Sequence, residues 1–341
     1  MRPVIRNFAD IVKLLIEAGA NVNTKDNAGE TSLMKAAHLG YPETSKTLIE
    51  ADADVNAKDY NGTTALMYAA RVLTTVTGSG YPETVRLLIA AGADVNARDE
   101  NRRTALMQAG GQGRDNTEIV KLLISAGADV NARDEDRATA LMHAAGHGKP
   151  EAAVLLIEAG ADVSAKDSSG QTPLMYAACC GIAPSINVLI EAGADVNARD
   201  EGKKTPLIMA AHLGRTEAVK ALIEAGANVN ASDNDGITAM MEGAIRGKTE
   251  IPKALIDAGA DVNARDNYGT TALMWAAIKG YPETVKVLIR TGADVNARDD
   301  DGYTVLDYAR DGGHPEIIRI LRVSGARERS PERCFPAITK G

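Results

Sequence analysis

Apolar and polar positions along this chain follow a pattern that returns about every 33 residues. Each copy begins with Asp-x-x-Gly-x-Thr-Ala-Leu-Met-x-Ala-Ala and reaches Ala-Gly-Ala-Asp-Val-Asn-Ala about twenty residues later. Copies without a gap lie at 26–58, 134–166, 167–199, 200–232, 233–265 and 266–298. A short fixed period predicts a solenoid, in which repeats stack because none can bury its apolar face alone.

The copy at 266–298 shows which elements the pattern predicts. Residues 267–269 (Asn-Tyr-Gly) are typical of a turn, and Thr271 is a good N-cap for the short apolar helix that follows it. A second helix is predicted over 284–290, where apolar side chains recur on one face, and Gly292 is suited to close it in a left-handed cap. The repeat is therefore predicted to be helix, turn, helix and projecting β-hairpin loop, which makes the fold all-α.

The same pattern divides the chain into three parts. Residues 1–25 match only the second half of a repeat, so they are predicted to form a partial N-terminal repeat that leaves its single helix incompletely covered. Residues 26–326 hold nine repeats, which we expect to form one solenoid. The second repeat carries seven extra residues within 71–80. The tail, 327–341, is predicted to be disordered.

The repeat closely resembles the ankyrin repeat. The hallmark of that family is Thr-Pro-Leu-His-x-Ala-Ala followed by Gly-Ala-Asp-Val-Asn, and residues 172–174 and 205–207 both read Thr-Pro-Leu. The resemblance covers about residues 8–326. It implies an ankyrin-repeat stack of helix-turn-helix units, with protein binding as the class of function, and it identifies no partner.

One departure from the family is systematic, because Met or Ile stands where the family commonly has His. These residues are Met34, Met67, Met107, Met142, Met175, Ile208, Met241 and Met274. We expect them to form a ladder in the core, where flexible thioether side chains fill gaps. A Met-rich binding surface is the alternative.

Composition and charge narrow the possible classes of function and the cellular compartment. A net charge of -8 argues against general nucleic-acid binding, which requires many phosphate-neutralising cations. Three cysteines, of which Cys179 and Cys180 are adjacent, do not make a disulfide framework and fit a reducing compartment. No apolar run approaches the roughly 20 residues that span a membrane. These features favour the cytoplasm, with secretion through a signal since removed as the alternative, and we expect the protein to be a monomer.

Motifs that carry chemistry are missing from the sequence. It holds no His-Glu-x-x-His, Cys-x-x-Cys or Gly-x-Ser-x-Gly, and its Gly-rich stretches lack the Gly-Lys-Ser/Thr of a phosphate loop. We therefore predict a protein that is not an enzyme and uses no cofactor. The alternative is an interaction module that belongs to, or regulates, a larger enzyme.

A group of His and Cys residues raises the question of a metal site. His143 and His147 lie four residues apart on one predicted helix, hence on one face, and alignment of the repeats places Cys179, Cys180 and His212 at matching positions farther along. Imidazole and thiolate are zinc ligands, but neighbouring helices roughly 8 to 10 Å apart would strain a tetrahedral site. We predict no metal there, and a metal-binding cluster is the alternative.

Two features predict where a partner binds. The position directly after Leu-Met, which we call the variable position, changes from each repeat to the next and holds four aromatic residues. Aromatic side chains are common binding anchors, although partial packing between stacked helices would also explain them. In three repeats the turn Gly is replaced by a basic residue, namely Arg102, Arg137 or Lys203, which places charge at the predicted hairpin tips.

We therefore predict a non-enzymatic scaffold for protein–protein interaction. It would bind a protein partner through the concave face and the hairpin tips, centred on the third to sixth repeats. The predicted binding residues are Tyr68, Arg102, Arg103, Gln108, Arg137, His143, His147, Tyr176, Lys203, Met209, His212 and Trp275.

Overall fold

The protein is described by a computed structural model that covers residues 7–71, 81–111 and 116–327. Helices are the only regular elements in these ranges, as the all-α prediction requires. The backbone divides into two compact units, Met1–Asp195 and Val196–Gly341. The predicted insertion within 71–80 lies outside the described residues apart from Arg71, and the predicted tail lies outside them apart from Arg327.

The first unit contains eleven helices in its described part. They are α1 (Asn7–Glu17), α2 (Ser32–His38), α3 (Pro42–Glu50), α4 (Ala65–Ala70), α5 (Tyr81–Ala90), α6 (Ala105–Gly110), α7 (Thr117–Ser125), α8 (Ala140–Gly146), α9 (Pro150–Glu158), α10 (Pro173–Cys180) and α11 (Ala183–Glu191). The even-numbered helices stack on one another in chain order, and so do the odd-numbered ones. Each even-numbered helix also packs against the helix that follows it, so the first unit is a stack of helix pairs with α1 ahead of the first pair.

The second unit contains eight helices in its described part. They are α12 (Pro206–His212), α13 (Thr216–Glu224), α14 (Ala239–Ile245), α15 (Glu250–Asp257), α16 (Ala272–Lys279), α17 (Pro282–Arg290), α18 (Val305–Asp311) and α19 (Pro315–Val323). The same two rows recur here, with α12, α14, α16 and α18 in one and α13, α15, α17 and α19 in the other. No helix in the described residues is long and apolar enough to cross a membrane.

The first helix of each pair begins at a Thr, as predicted from 266–298. In α16 the hydroxyl of Thr271 accepts a hydrogen bond from the Met274 N–H at 3.4 Å, which satisfies a backbone donor that the helix leaves unpaired. Met274 is fully buried, and its sulfur accepts a bond from the Thr271 N–H at 3.5 Å. The ladder of Met residues in the core is therefore confirmed, and the sulfur also takes part in capping.

The loops between repeats are turns and not β-hairpins built of strands. In the loop before α16, the N–H groups of Gly269 and Asp266 bond to the carbonyl groups of Asp266 and Thr270, both at 3.0 Å. The described residues contain no strand, and only isolated bridges join Ser232 to Thr238, Arg265 to Thr271 and Arg298 to Thr304. The predicted β-hairpins are not confirmed, because the turn leaves too few residues on either side to form a ladder.

Asn side chains join the loops of neighbouring repeats within each unit. Asn131 donates from its amide nitrogen to the Gly160 carbonyl at 3.0 Å and accepts from the Asp162 N–H at 2.8 Å. The same pair of bonds is made by Asn23, Asn56, Asn96, Asn263 and Asn296. The fourth repeat departs from this arrangement, because Ser164 replaces Asn and donates its hydroxyl to Asp162 in its own loop at 2.7 Å.

The second helices end in a left-handed residue, which is Gly in most repeats. Asp52 occupies this position after α3 with φ +60°, as its alignment with Gly92 predicts. At Gly92 a side chain would enter open space, since no atom lies within 4 Å of the point that a Cβ would occupy there. A Cβ in the left-handed region costs about 1 kcal/mol in backbone strain, and this position offers no packing in return.

Asp52→Gly should therefore raise the free energy of unfolding by about 1 kcal/mol, measured by denaturant titration, because the substitution removes that strain. The reverse change, Gly92→Asp, is the control and should lower it by a similar amount. A lower midpoint for Asp52→Gly would reveal a compensating contact of the Asp52 side chain.

Helix α1 leaves apolar side chains uncovered, as expected of a partial repeat. Phe8, Ile11, Leu14 and Leu15 are all exposed, with Leu15 at 54%. Leu48, the residue that aligns with Leu15 in α3, is 2% exposed because α2 covers it. In the described residues α1 packs on α3 alone among helices of its own row, so it has less of the interface that stabilises a repeat stack.

Amide hydrogen exchange should consequently be fastest in α1 among the helices of the first unit, and should slow toward α7 and α9. Hydrogen exchange with peptide-level mass spectrometry measures this order, with α3 as the internal reference. Exchange in α1 as slow as in α9 would mean that another surface covers its apolar face.

Candidate partner-binding surface

In six repeats the side chain at the variable position bonds to the Asp that opens its own repeat. The Tyr176 hydroxyl donates to Asp167 Oδ2 at 2.9 Å, and the Trp275 indole N–H donates to Asp266 Oδ2 at 3.0 Å. The other carboxylate oxygen of each Asp accepts backbone N–H groups of its turn. The Tyr176 and Trp275 side chains are half-buried, and each links the first helix of a repeat to the preceding loop.

His143 makes the same connection in the fourth repeat. Its Nε2 lies 3.0 Å from Asp134 Oδ2, while Asp134 Oδ1 accepts the Ala138 N–H at 2.8 Å. Burial of the Asp134 carboxyl opposes ionisation, but the bonds from His143 and Ala138 and the nearby charge of Arg103 outweigh it. They hold the pKa of Asp134 below its usual range. The carboxylate therefore stays charged and fully engaged near neutral pH.

The predicted aromatic anchors are thus part of the structure of the repeat. The Tyr68 hydroxyl donates to Asp59 Oδ2 and to Glu30 Oε1, both at 2.8 Å, and the Tyr308 hydroxyl donates to Asp299 Oδ2. Met209, another predicted binding residue, is buried at 6% exposure and cannot serve as a surface contact without rearrangement. Lys, Tyr, His and Trp side chains at the variable position all bond to the opening Asp, so the variation of this position is weaker evidence for binding than the sequence suggested.

The basic residues at the turns behave differently, because they are exposed. Arg102, Arg137 and Lys203 have φ of +61°, +63° and +60°, so the turn keeps its left-handed conformation without Gly. The strain expected of a long side chain at positive φ is therefore present in the structure. Arg103, which follows Arg102, is also exposed.

His147 and His212 are not arranged as metal ligands. His147 donates from Nδ1 to the His143 carbonyl at 2.8 Å, and His212 Nδ1 lies 3.0 Å from Glu242 Oε1. Among the residues that the structure describes, no three His, Cys, Asp or Glu side chains form a group able to hold a metal ion. The alternative of a metal cluster at His143, His147, Cys179, Cys180 and His212 thus finds no support, since the imidazoles bond within the protein.

A cavity of about 290 Å³ opens between the second and fourth repeats of the first unit. Its lining includes Arg103, Gln108, His143 and His147, four of the predicted binding residues, which the fold therefore brings together. Arg71, Met107 and Gly111 make up the rest of the lining, and none of them is among the binding residues predicted from the sequence. Arg71 is the C-cap of α4, where the repeat pattern is interrupted, so alignment of the repeats carried no signal for it.

Comparison with known families matches the repeats directly. A family model described as Ankyrin repeats (3 copies) matches residues 1–99, 61–134, 106–200, 198–266 and 253–329. The chain belongs to the ankyrin repeat family. A search of curated proteins finds no match to the chain. Ankyrin repeats are generally modules for protein–protein interaction, so the family supports protein binding as the class of function and identifies no partner.

The bond from Tyr176 to Asp167 gives this ankyrin stack a testable dependence on pH. Burial of the ring and then the Asp167 carboxylate raise the pKa of Tyr176. The unfolded Tyr ionises near pH 10, so the stabilisation is fully present below about pH 10 and is lost as the pH rises above it.

Tyr176→Phe should lower the free energy of unfolding by about 1 to 2 kcal/mol at pH 8, because Asp167 loses a hydrogen bond. The difference from the parent chain should shrink by up to about 1.4 kcal/mol per pH unit above pH 10. Denaturant titrations of the variant and the parent chain at pH 8 and above pH 10 measure this difference. Tyr268→Phe, at a ring 71% exposed, is the control and should have little effect. A difference independent of pH would argue against the bond.

Proposed function

We propose that this protein is a non-enzymatic scaffold that binds a protein partner through its turn tips and the face formed by the first helices. The observation that carries the proposal is the set of exposed basic residues in left-handed turns, Arg102, Arg137 and Lys203. Non-Gly residues in this conformation cost about 1 kcal/mol each, and such strain is often retained where it serves function.

Charge supports this assignment. The chain carries a net charge of -8, yet Arg102, Arg103 and Arg137 lie exposed on neighbouring turns of the first unit. In the second unit Lys203 is exposed in the same way, and Lys204 follows it. The same turns also hold exposed acidic residues, Glu100, Glu135 and Glu201 among them, so the tips present charges of both signs. The exposed basic side chains favour a partner with acidic groups opposite them.

The remaining features of the proposal follow from the sequence. The acidic balance disfavours nucleic acid, whose binding requires many phosphate contacts. The absence of catalytic motifs in the sequence favours a role without catalysis or cofactor. We infer a cytoplasmic location, because the cysteine content fits a reducing compartment, and we propose that the protein is a monomer.

Affinity capture from the native host, with mass spectrometry of the retained proteins, tests the proposal when variants are compared. The double variant Arg102→Glu/Arg137→Glu should retain a captured partner at least about tenfold less tightly, since both sites then repel an acidic surface. The matched control is Lys46→Glu/Lys121→Glu, which makes the same charge change at exposed positions of α3 and α7.

Unfolding midpoints of both variants should match that of the parent chain, which shows that folding is intact. Equal retention by the two double variants would contradict binding through the turn tips. Absence of any specifically retained protein would contradict the scaffold role itself.

A further inference from the structure

The cavity of about 290 Å³ in the first unit is lined by side chains that donate hydrogen bonds. Arg71, Arg103, Gln108 and His147 line it, together with Met107 and the ring of His143. Within the described part of the chain, no carboxylate belongs to this lining. A cleft with donors of one charge sign and low-dielectric walls concentrates the positive potential at its centre.

Arg71 and Arg103 are the two arginines that line the cavity. Among the residues that the structure describes, neither Arg71 nor Arg103 forms an ion pair. The charges of Asp134 and Arg103 interact, but the Asp134 oxygens bond to His143 and to the Ala138 N–H and not to the guanidinium group. Two guanidinium groups therefore border the cavity without a direct ion pair among the described residues.

The histidines of the cavity have different roles. His143 is held by Asp134 and closes a wall. His147 is exposed, and its Nδ1 must be the donor in the bond to the His143 carbonyl, because a carbonyl oxygen only accepts. In the neutral ring its Nε2 is then an acceptor, so His147 is not counted among the donors of the cavity. The Gln108 carboxamide adds neutral N–H donors.

We propose that this cavity binds the phosphoryl group of a phosphorylated side chain on the protein partner. A phosphoryl group carries a charge of about -2 near neutral pH and three acceptor oxygens, which matches two arginines and the carboxamide N–H donors of Gln108. A carboxylate has two acceptor oxygens and is satisfied by one arginine in a bidentate pair. Arginine clusters are a recurrent means of recognising phosphorylated segments. The inference rests on the proposed function, because it specifies the chemistry of the partner.

The test begins with small probes, so that it does not depend on finding the partner. Inorganic phosphate and O-phospho-L-serine are titrated into the full chain, with glutamate and chloride as comparisons, while NMR follows the side-chain signals of Gln108 and His147. Both phosphate probes should shift these signals to saturation. Glutamate should bind at least about tenfold more weakly, because it offers fewer acceptors and less charge.

Arg71→Gln/Arg103→Gln should weaken phosphoserine binding at least about tenfold, since each lost charge-assisted bond contributes to affinity. Lys121→Gln is the control, an exposed cation of α7 outside the cavity, and should change the affinity less than about twofold. Unchanged signals, equal binding of glutamate, or equal affinity in the Arg71/Arg103 double variant would each overturn the inference.

Phosphatase treatment of the captured partner connects this test to the proposed function. Loss of retention after treatment, for the parent chain and not for the Arg71→Gln/Arg103→Gln variant, is the expected result. A partner retained equally before and after treatment would overturn the phosphoryl inference and leave protein binding in place. Absence of any captured partner would instead count against the proposed function. It would leave the phosphoryl inference to the small-probe titration, which needs no partner protein.

Discussion

The structure depends on a carboxylate that each repeat places between a turn and a helix. The Asp that opens the repeat accepts backbone N–H groups through one oxygen, and in several repeats a side chain of the first helix through the other, as at Asp167 and Asp266. Most of these Asp residues are buried, and a buried charge is tolerated only when it is hydrogen-bonded. One residue thereby fixes the turn, the helix start and their separation.

This constraint changes the meaning of sequence variation. A position that changes from each repeat to the next looks like a recognition surface, yet Tyr176, His143 and Trp275 all bond to the Asp of their own repeat. Positions with no such structural role are the turn tips, where Arg102 and Arg137 are exposed to solvent. Recognition is therefore argued better from exposed residues that cost stability than from variability alone.

Much of the fold followed from sequence because each signal was local and repeated. Thr271 as N-cap, Met274 in the core and the left-handed Asp52 are each decided by neighbours within a few residues. The bond from Tyr176 to Asp167 spans two elements, although a constant Asp followed nine residues later by Tyr, His or Trp was a usable signal. Arg71 gave none, because it borders the cavity only through stacking of repeats that are distant in sequence.

The turns with a non-Gly residue at positive φ show how a repeat stack tolerates backbone strain at its surface. At Arg102 the turn keeps its shape because Asp99 accepts the Arg103 N–H at 2.8 Å and the Arg102 N–H bonds to the Asp99 carbonyl at 2.9 Å. These two hydrogen bonds, one to the Asp99 side chain and one to its backbone carbonyl, hold a non-Gly residue at positive φ. The free energy of unfolding of a solenoid is roughly a sum over repeats and their interfaces. A strain of about 1 kcal/mol at one turn is therefore a small part of that sum. Such a turn presents an arginine from a rigid base, and less conformational entropy is then lost when a partner binds.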